Sequence, residues 1–194
     1  MGTIFSKPRM FRELLQPSPI RTFALKALGI FVLWYVLYEL WLLPDGRLDH
    51  WVALRVIDGA AFVTKLIGVE VWMQGRVVTI AGNNGIEMVD GCTGISAIGL
   101  FLGFIWAYPG QNRSRVYYSL MGIATIYLVN ILRIATLMLM QEWAPQFFDF
   151  THDYSTTTIF YLVIFFLWML WVRIADGFEN LKTQSPPKSI RHHD

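Results

Sequence analysis

The sequence predicts an all-α integral membrane protein with about four transmembrane helices, a prediction that rests on composition and on the length of the apolar runs. Of the 194 residues, 55% are hydrophobic and 15% are charged, and the mean hydropathy is +0.44. A soluble domain of this size carries more charge. Several apolar runs approach or exceed the roughly 20 residues that a membrane-spanning helix requires.

Four runs are predicted to cross the membrane: residues 22–43, 94–108, 115–140 and 156–174. The second is the shortest. The first ends in a Leu-Pro-Asp-Gly turn sequence at residues 43–46, which is typical of a helix end at an interface. No signal-peptide cleavage site follows this run, so we expect it to be a retained anchor.

A fifth apolar stretch, residues 52–69, is predicted to lie at the membrane interface or to re-enter without crossing, because Arg55, Asp58 and Lys65 interrupt it. Four crossings also satisfy the positive-inside rule, by which basic residues collect on the cytoplasmic side. The basic residues of the segments then predicted to be cytoplasmic are Lys7, Arg9, Arg12, Arg21, Arg113, Arg115, Arg173, Lys182, Lys188 and Arg191. Those of the outer loops are Arg47, Arg55, Lys65 and Arg76.

This topology predicts a multi-pass protein of the inner (cytoplasmic) membrane with both termini in the cytoplasm. We expect a cytoplasmic segment at residues 1–21, one transmembrane domain at residues 22–175 and a cytoplasmic tail at residues 176–194. A small β-hairpin is predicted on the outer face before the second span. Its two β-prone runs, residues 71–80 and 86–89, flank an Asn-Gly turn sequence.

Three residues with catalytic chemistry fall at one predicted depth, near the outer surface of the membrane. Cys92 lies at the outer start of the second span, and Arg133 lies within the third span about ten residues from its outer end. His152 lies in the outer loop before the fourth span. Cys92 is also the single cysteine of the chain, which excludes an intrachain disulfide and a CxxC site.

The chemistry of Cys92 and His152 is that of a nucleophile and its base. A thiolate at a helix N-terminus has a lowered pKa, and a histidine takes up the thiol proton and returns it to a leaving amine. The structural alternatives remain open: Cys92 is a small apolar filler, and His152, next to Asp153, is a polar loop residue.

A charge within a span is costly and is usually retained for function, which makes Arg133 the strongest single signal. Its guanidinium would hold a thiolate, a substrate carboxylate or a developing oxyanion. Asn130 lies one turn earlier on the same helix face. Alternatively, Arg133 extends to the interface or pairs with Glu142 or Asp149.

These residues resemble the exosortase and archaeosortase family, which carries a Cys-x-Gly element, a membrane arginine preceded by asparagine, and a later histidine. The corresponding segments here are Cys92-Thr93-Gly94-Ile95, Asn130-Ile131-Leu132-Arg133-Ile134 and His152-Asp153. The chain differs from the larger exosortases in being shorter, and Ser155 and the three threonines after it occupy the place where a glycine is expected after the histidine.

The resemblance implies a membrane-embedded cysteine protease or transpeptidase with Cys92 as nucleophile, His152 as acid and base, and Arg133 as transition-state stabiliser. The implied substrates are C-terminal sorting signals of exported proteins, each a short motif followed by a transmembrane helix and a basic tail, with a cell-surface acceptor as a further partner. Residues placed to support the three are Asp90, Gly94, Asn130 and Asp153.

A bond cut at this depth would lie where a substrate helix leaves the bilayer. Six aromatic residues of the spans would line a groove for that helix, or else mostly face lipid or pack internally. They are Phe101, Phe104, Trp106, Phe165, Phe166 and Trp168.

Two other function classes compete with the enzyme. One is a non-catalytic assembly factor for surface-polymer or protein export, in which Cys92 is inert. The other is a small ion-coupled transporter with Arg133, Asp90 and Asp153 along its path. We expect no metal or other cofactor, because no ligand set has suitable spacing, and no nucleic-acid partner, because the net charge is only +2. Membrane lipids are the expected surroundings.

Overall fold

The computed structural model describes residues 18–80, 86–87, 92–147 and 156–184. These residues form five main helices and a small sheet. Helix α1 comprises Pro19–Asp45, α2 Arg47–Leu66, α3 Ile95–Ala107, α4 Asn112–Trp143 and α5 Thr156–Gln184. The strands are β1 Val71–Gln74, β2 Val77–Ile80 and β3 Ile86–Glu87. A 3₁₀ turn, Pro145–Phe147, follows α4.

Helix α1 starts and stops at residues whose chemistry favours helix ends. The Ser18 hydroxyl caps the first turn by accepting a 3.2 Å hydrogen bond from the Arg21 amide, and proline occupies the first helical position. The helix is π-helical over Tyr35–Leu42 and ends at Gly46, whose φ of 69° is left-handed. The chain thus leaves the helix at the last residue of the predicted turn sequence.

Three of the four predicted spans are helices long and apolar enough to cross a membrane within the described residues: Pro19–Asp45, Asn112–Trp143 and Thr158–Gly177. The protein is therefore a helical, multi-pass membrane protein. Helix α3 coincides with the remaining predicted span, but its 13 residues reach only about 20 Å, less than the roughly 30 Å hydrocarbon core. Helix α5 continues to Gln184, ten residues beyond the predicted end of its span.

The interrupted fifth stretch forms α2, a continuous helix of 20 residues that packs against α4. Its buried face repeats every three or four residues, and its apolar members are Ala53, Val56, Ile57, Ala60 and Ala61. The charges that interrupt the stretch face outward, where Arg55 and Asp58 form a 3.2 Å ion pair. Gly59 allows the close packing, because a Cβ there would lie 2.7 Å from Ile131 Cδ1.

The predicted runs pair antiparallel through β2 and β3, and the first run also contains a second turn that was not predicted. The run at residues 71–80 is split into β1 and β2 by a two-residue turn that begins at Gly75, whose φ of 61° is readily adopted only without a side chain. Strand β3 falls in the second predicted run and pairs antiparallel with β2, which gives a three-stranded sheet. The Asn-Gly sequence at residues 83–85 lies outside the described residues.

Helix α4 connects the two hydrophobic cores of the molecule. On one side it packs with α2 and the sheet, where Val71, Val78 and Ile80 are buried against Leu137 and neighbouring residues. On the other side it packs with α3 and α5. The buried residues of that second core include Phe101, Ile105, Ile126, Ile164 and Trp171. Because α4 contributes to both cores, residues on its C-terminal half lie close to α2 and to the turn before α3.

Candidate active site

Cys92 lies in the turn that leads into α3, two residues before the helix cap. The thiol residue is partly buried and packs against the core formed by α2, α4 and the sheet. Gly94 caps α3 with a left-handed φ of 83°. A Cβ at Gly94 would also lie 3.4 Å from Asn130 Nδ2. Backbone conformation and a close neighbour thus both favour glycine two residues after the cysteine.

Asn130 of α4 holds the backbone of the cysteine. Its side chain is fully buried, and its Nδ2 donates a 2.9 Å hydrogen bond to the carbonyl oxygen of Cys92. Its other polar atom, Oδ1, is buried and receives no hydrogen bond from the described residues. Asn130 therefore fixes the position of Cys92 and retains one acceptor.

Asp49, at the start of α2, holds the next residue of the turn. Its carboxylate is fully buried and accepts a 2.9 Å hydrogen bond from the Thr93 hydroxyl. The hydroxyl of Tyr38 on α1 donates to the same carboxylate at 3.0 and 3.2 Å from its two oxygens. A buried carboxylate is tolerated only with such donors, so this cluster ties α1 and α2 to the cysteine turn.

Asp49, Tyr38 and Thr93 were not predicted as site residues. Asp49 is one of several acidic residues near the first turn, and nothing in the local sequence separates it from the exposed Asp45 or Asp58. Thr93 occupies the variable position between Cys92 and Gly94. The pairing between residues 44 positions apart depends on the fold.

Arg133 lies one turn beyond Asn130 on α4, about 4.5 Å further along the helix and on the same face. It is partly buried, and its guanidinium carbon lies 5.8 Å from the centre of the Phe160 ring on α5. This is within the range of a cation–π contact. The helix face that contacts the Cys92 backbone therefore also carries the intramembrane arginine.

The structure brings together four of the predicted site positions: Cys92, Gly94 and Asn130 in direct proximity, and Arg133 one turn away. Asp90, His152 and Asp153 lie outside the described residues. Among the residues that are described, no three histidine, cysteine, aspartate or glutamate side chains cluster as metal ligands would.

An apolar groove of about 580 Å³ lies between α1, α3 and α5 and begins at Ser96, four residues after the cysteine. Of the six aromatic residues considered for such a groove in the sequence, Phe104 and Trp168 line it. Phe101 is fully buried against α4, whereas Trp106, Phe165 and Phe166 are 45%, 51% and 66% exposed. These four therefore pack internally or lie exposed on the outside of the helices, as the second interpretation of the six residues expects for most of them.

The fold and the cysteine site define a small helical membrane protein with a thiol held at the start of a short apolar helix. Residues 15–169 match the family of transmembrane exosortases. The chain belongs to the transmembrane exosortase family, as its resemblance to exosortases and archaeosortases predicts.

A probable archaeosortase D from Methanocaldococcus jannaschii is 23% identical to this chain over 150 residues, which cover 77% of this chain and 89% of that protein. No solved structure matches the chain significantly.

Proposed function

We propose that this protein is a membrane-embedded cysteine protease or transpeptidase that processes C-terminal sorting signals of exported proteins. One observation carries the proposal: three helices direct buried polar groups to the turn that holds the only cysteine of an exosortase-family chain. Asn130 contacts the Cys92 backbone and Asp49 contacts Thr93. Buried polar groups are costly to retain. A turn that carried only an inert, apolar cysteine would not require polar groups to hold its backbone.

In the proposed reaction, Cys92 Sγ attacks the carbonyl carbon of the substrate peptide bond while His152 takes up the thiol proton. The negative charge that forms on the carbonyl oxygen is stabilised by Arg133. The C–N bond then breaks, and His152 returns the proton to the leaving amine. Water or an acceptor amine attacks the resulting thioester, which releases the acid or the transferred product and restores the thiol.

The proposed topology has four crossings, both termini in the cytoplasm and the site facing outward. The distribution of basic residues supports it. Cys92 precedes α3 and Arg133 lies ten residues before the end of α4. If the ends of α1 and α4 face outward, both residues lie at the outer boundary, where a substrate helix leaves the bilayer.

The first test replaces Cys92 with alanine in the native host. We expect membrane proteins that retain a C-terminal helix and a basic tail to accumulate, and mass spectrometry of membrane fractions would identify them. Cys92→Ser should accumulate the same precursors because a hydroxyl is a far weaker nucleophile than a thiolate. Both variants must be present at wild-type levels. Unchanged C-termini in both variants would contradict the proposal.

A second candidate function is a non-catalytic assembly factor for surface-polymer or protein export. The observation in its favour is that Cys92 is partly buried and packs against an apolar core, as an inert cysteine does. An assembly factor should tolerate Cys92→Ser, which preserves the size of the side chain. Export of the polymer or protein should then proceed normally in that variant.

A further inference from the structure

The groove that begins near the cysteine turn is lined by three helices. Helix α3 forms the floor with several small residues, α1 forms one wall, and α5 contributes Tyr161 and Trp168 to the other. The small floor residues are Ser96, Ala97, Gly99 and Gly103. In membranes, small residues of this kind let other helices approach closely; at Gly99 that neighbour is Trp34 of α1, whereas the space at Gly103 is open apart from Ile30.

The groove extends along most of α1. Its lining on that helix begins at Phe23 and ends at Glu39, a separation of about 24 Å at 1.5 Å per residue. Helix α3 runs antiparallel beside it, since the Phe23 ring lies 5.9 Å from the Phe104 ring whereas Trp34 lies against Gly99. The occupant is therefore elongated, with about 24 Å of its length in the groove, and one of its ends lies near the turn that holds Cys92.

That end of the groove is its polar end. Glu39 and Ser96 line it, whereas Phe23, Ile30 and Phe31 are among the apolar residues further along α1. No hydrogen bond or ion pair within the described residues involves Glu39. A carboxylate within an apolar helix is costly and indicates a binding role.

The chemistry at Glu39 distinguishes the possible occupants. The first turn of a helix has four backbone N–H groups without partners, and its end of the helix dipole is positive. Glu39 and Ser96 would supply acceptors for those groups. A lipid acyl chain offers no donor, and would leave the carboxylate unsatisfied in hydrocarbon.

We propose that the groove holds the transmembrane helix of the substrate, with the N-terminus of that helix at Glu39. This inference rests on the proposed function, in which the substrate helix follows the cleaved bond and therefore begins near Cys92. Glu39 acts as a positioning residue: it caps the substrate helix and so sets which peptide bond reaches the thiol. Since Glu39 contacts backbone amides, the position of the cleaved bond depends on where the substrate helix begins and not on the side chains of that helix.

Site-specific photocrosslinking in native-host membranes tests the position of the helix. A photoreactive amino acid replaces Leu100, which lines the groove, in a Cys92→Ala chain. Leu128 of α4, which is 58% exposed away from the groove, is the matched control. We expect the precursors that accumulate in the Cys92→Ala strain to be crosslinked from position 100 and not from position 128.

Each other outcome overturns the inference in a recognisable way. Lipid adducts or homodimers at position 100, with precursors still accumulating but uncrosslinked, would show that another occupant fills the groove while the proposed function stands. If no precursor accumulates at all, the proposed function fails and the groove inference fails with it.

Filling the groove provides a second measurement. A Cβ at Gly103 meets only Ile30 Cγ2, at 3.7 Å, so Gly103→Leu should fold and obstruct the groove. Gly29→Leu is the matched control, because Gly29 has open space around it and does not line the groove. We expect precursor processing to slow about tenfold or more in Gly103→Leu only, because the leucine side chain would prevent the substrate helix from packing against α3. Equal rates in the two variants would contradict the inference.

The role of Glu39 has its own readout, the position of the cut. We expect Glu39→Ala to slow processing roughly five- to tenfold, as loss of a helix cap would, and to give products with several different C-termini. Glu39→Gln retains an acceptor oxygen and should preserve a single cut. Glu70→Ala removes an exposed carboxylate outside the groove and should change neither the processing rate nor the position of the cut. Slower processing at one unchanged cut in Glu39→Ala would overturn the positioning role.

Discussion

Asp49 links three parts of the chain that are far apart in sequence. It is fully buried, and its partners Tyr38 and Thr93 come from the end of α1 and from the cysteine turn. Asn130 adds a contact from α4 to the Cys92 carbonyl. Since each contact removes freedom from the turn, the cysteine is held in place before any substrate binds, which is how catalytic groups gain precision.

At the scale of single residues, we predict that Thr93→Val slows precursor processing about tenfold or more, while the amount of the protein in the membrane stays at the wild-type level. The substitution removes the hydroxyl that donates to Asp49, and a buried acceptor that loses a donor costs roughly 1–3 kcal/mol. The measurement is the rate at which a precursor identified in the Cys92→Ala strain is processed. Thr93→Ser, which keeps the hydroxyl, should restore most of the rate.

The control for this prediction is Thr125→Val. The Thr125 hydroxyl donates only to the Met121 carbonyl of its own helix, at 2.9 Å and on an exposed face. The control should process precursors at the wild-type rate. A Thr93→Val protein as active as the control would show that the bond to Asp49 does not position the cysteine.

At the scale of elements, the entry into α3 is the feature that connects packing to the site. Helix α3 is capped by a left-handed glycine and not by a side chain. That conformation turns the chain sharply, so Cys92 and Thr93 meet α4 and α2 while the rest of α3 packs against α1 and α5. The same helix thereby presents the cysteine at one end and forms the floor of the groove along its length.

We predict that Gly94→Ala lowers both stability and activity. An alanine at a left-handed φ costs about 1–2 kcal/mol, and its Cβ would lie 3.4 Å from the Asn130 amide that holds Cys92. Gly68→Ala separates the two effects, since Gly68 has a similar φ of 88° but nothing within 4 Å.

Thermal unfolding in detergent should show a similar loss for the two glycine variants, whereas precursor processing should fall only in Gly94→Ala. If Gly68→Ala loses as much activity, the effect of Gly94→Ala is one of general stability and the contact with Asn130 is irrelevant.

At the scale of the whole molecule, the arrangement of helices around α4 places the cysteine turn, the intramembrane arginine and the polar end of the groove in one region. Helices α2 and α4 hold the turn from one side, and α1 and α3 lead from it into the groove. This arrangement serves the proposed function only if that region faces outward, because the substrates are exported proteins.

Cysteine labelling of intact cells checks this orientation. In a Cys92→Ala chain, we predict that Lys65→Cys reacts with a membrane-impermeant maleimide from outside, since Lys65 is exposed at the end of α2. Arg113→Cys, at the exposed start of α4, should react only after the membrane is permeabilised. The opposite pattern would invert the topology and contradict the proposed outward-facing site.

Much of the fold was predictable because it depends on local composition. Long apolar runs must form helices in a bilayer to satisfy their backbone hydrogen bonds, and the bounds of α3 and the start of α5 agree closely with the prediction. The family was also predictable from Cys92, Arg133 and their neighbours. The division of the first β-prone run into β1 and β2 was not predicted, because it depends on the left-handed conformation of Gly75.

The sequence by itself determined that this protein is a helical membrane protein of the exosortase family, and it indicated Cys92, Asn130 and Arg133, because hydropathy, cysteine count and an intramembrane charge are local properties. Only the tertiary structure decided that Asp49 and Tyr38 support the cysteine turn, that α2 packs as a full helix, and which aromatic residues line the groove. Those features depend on which helix faces meet. Helix packing sets these contacts between residues that are distant in the chain, and the period of a single helix does not specify its partner.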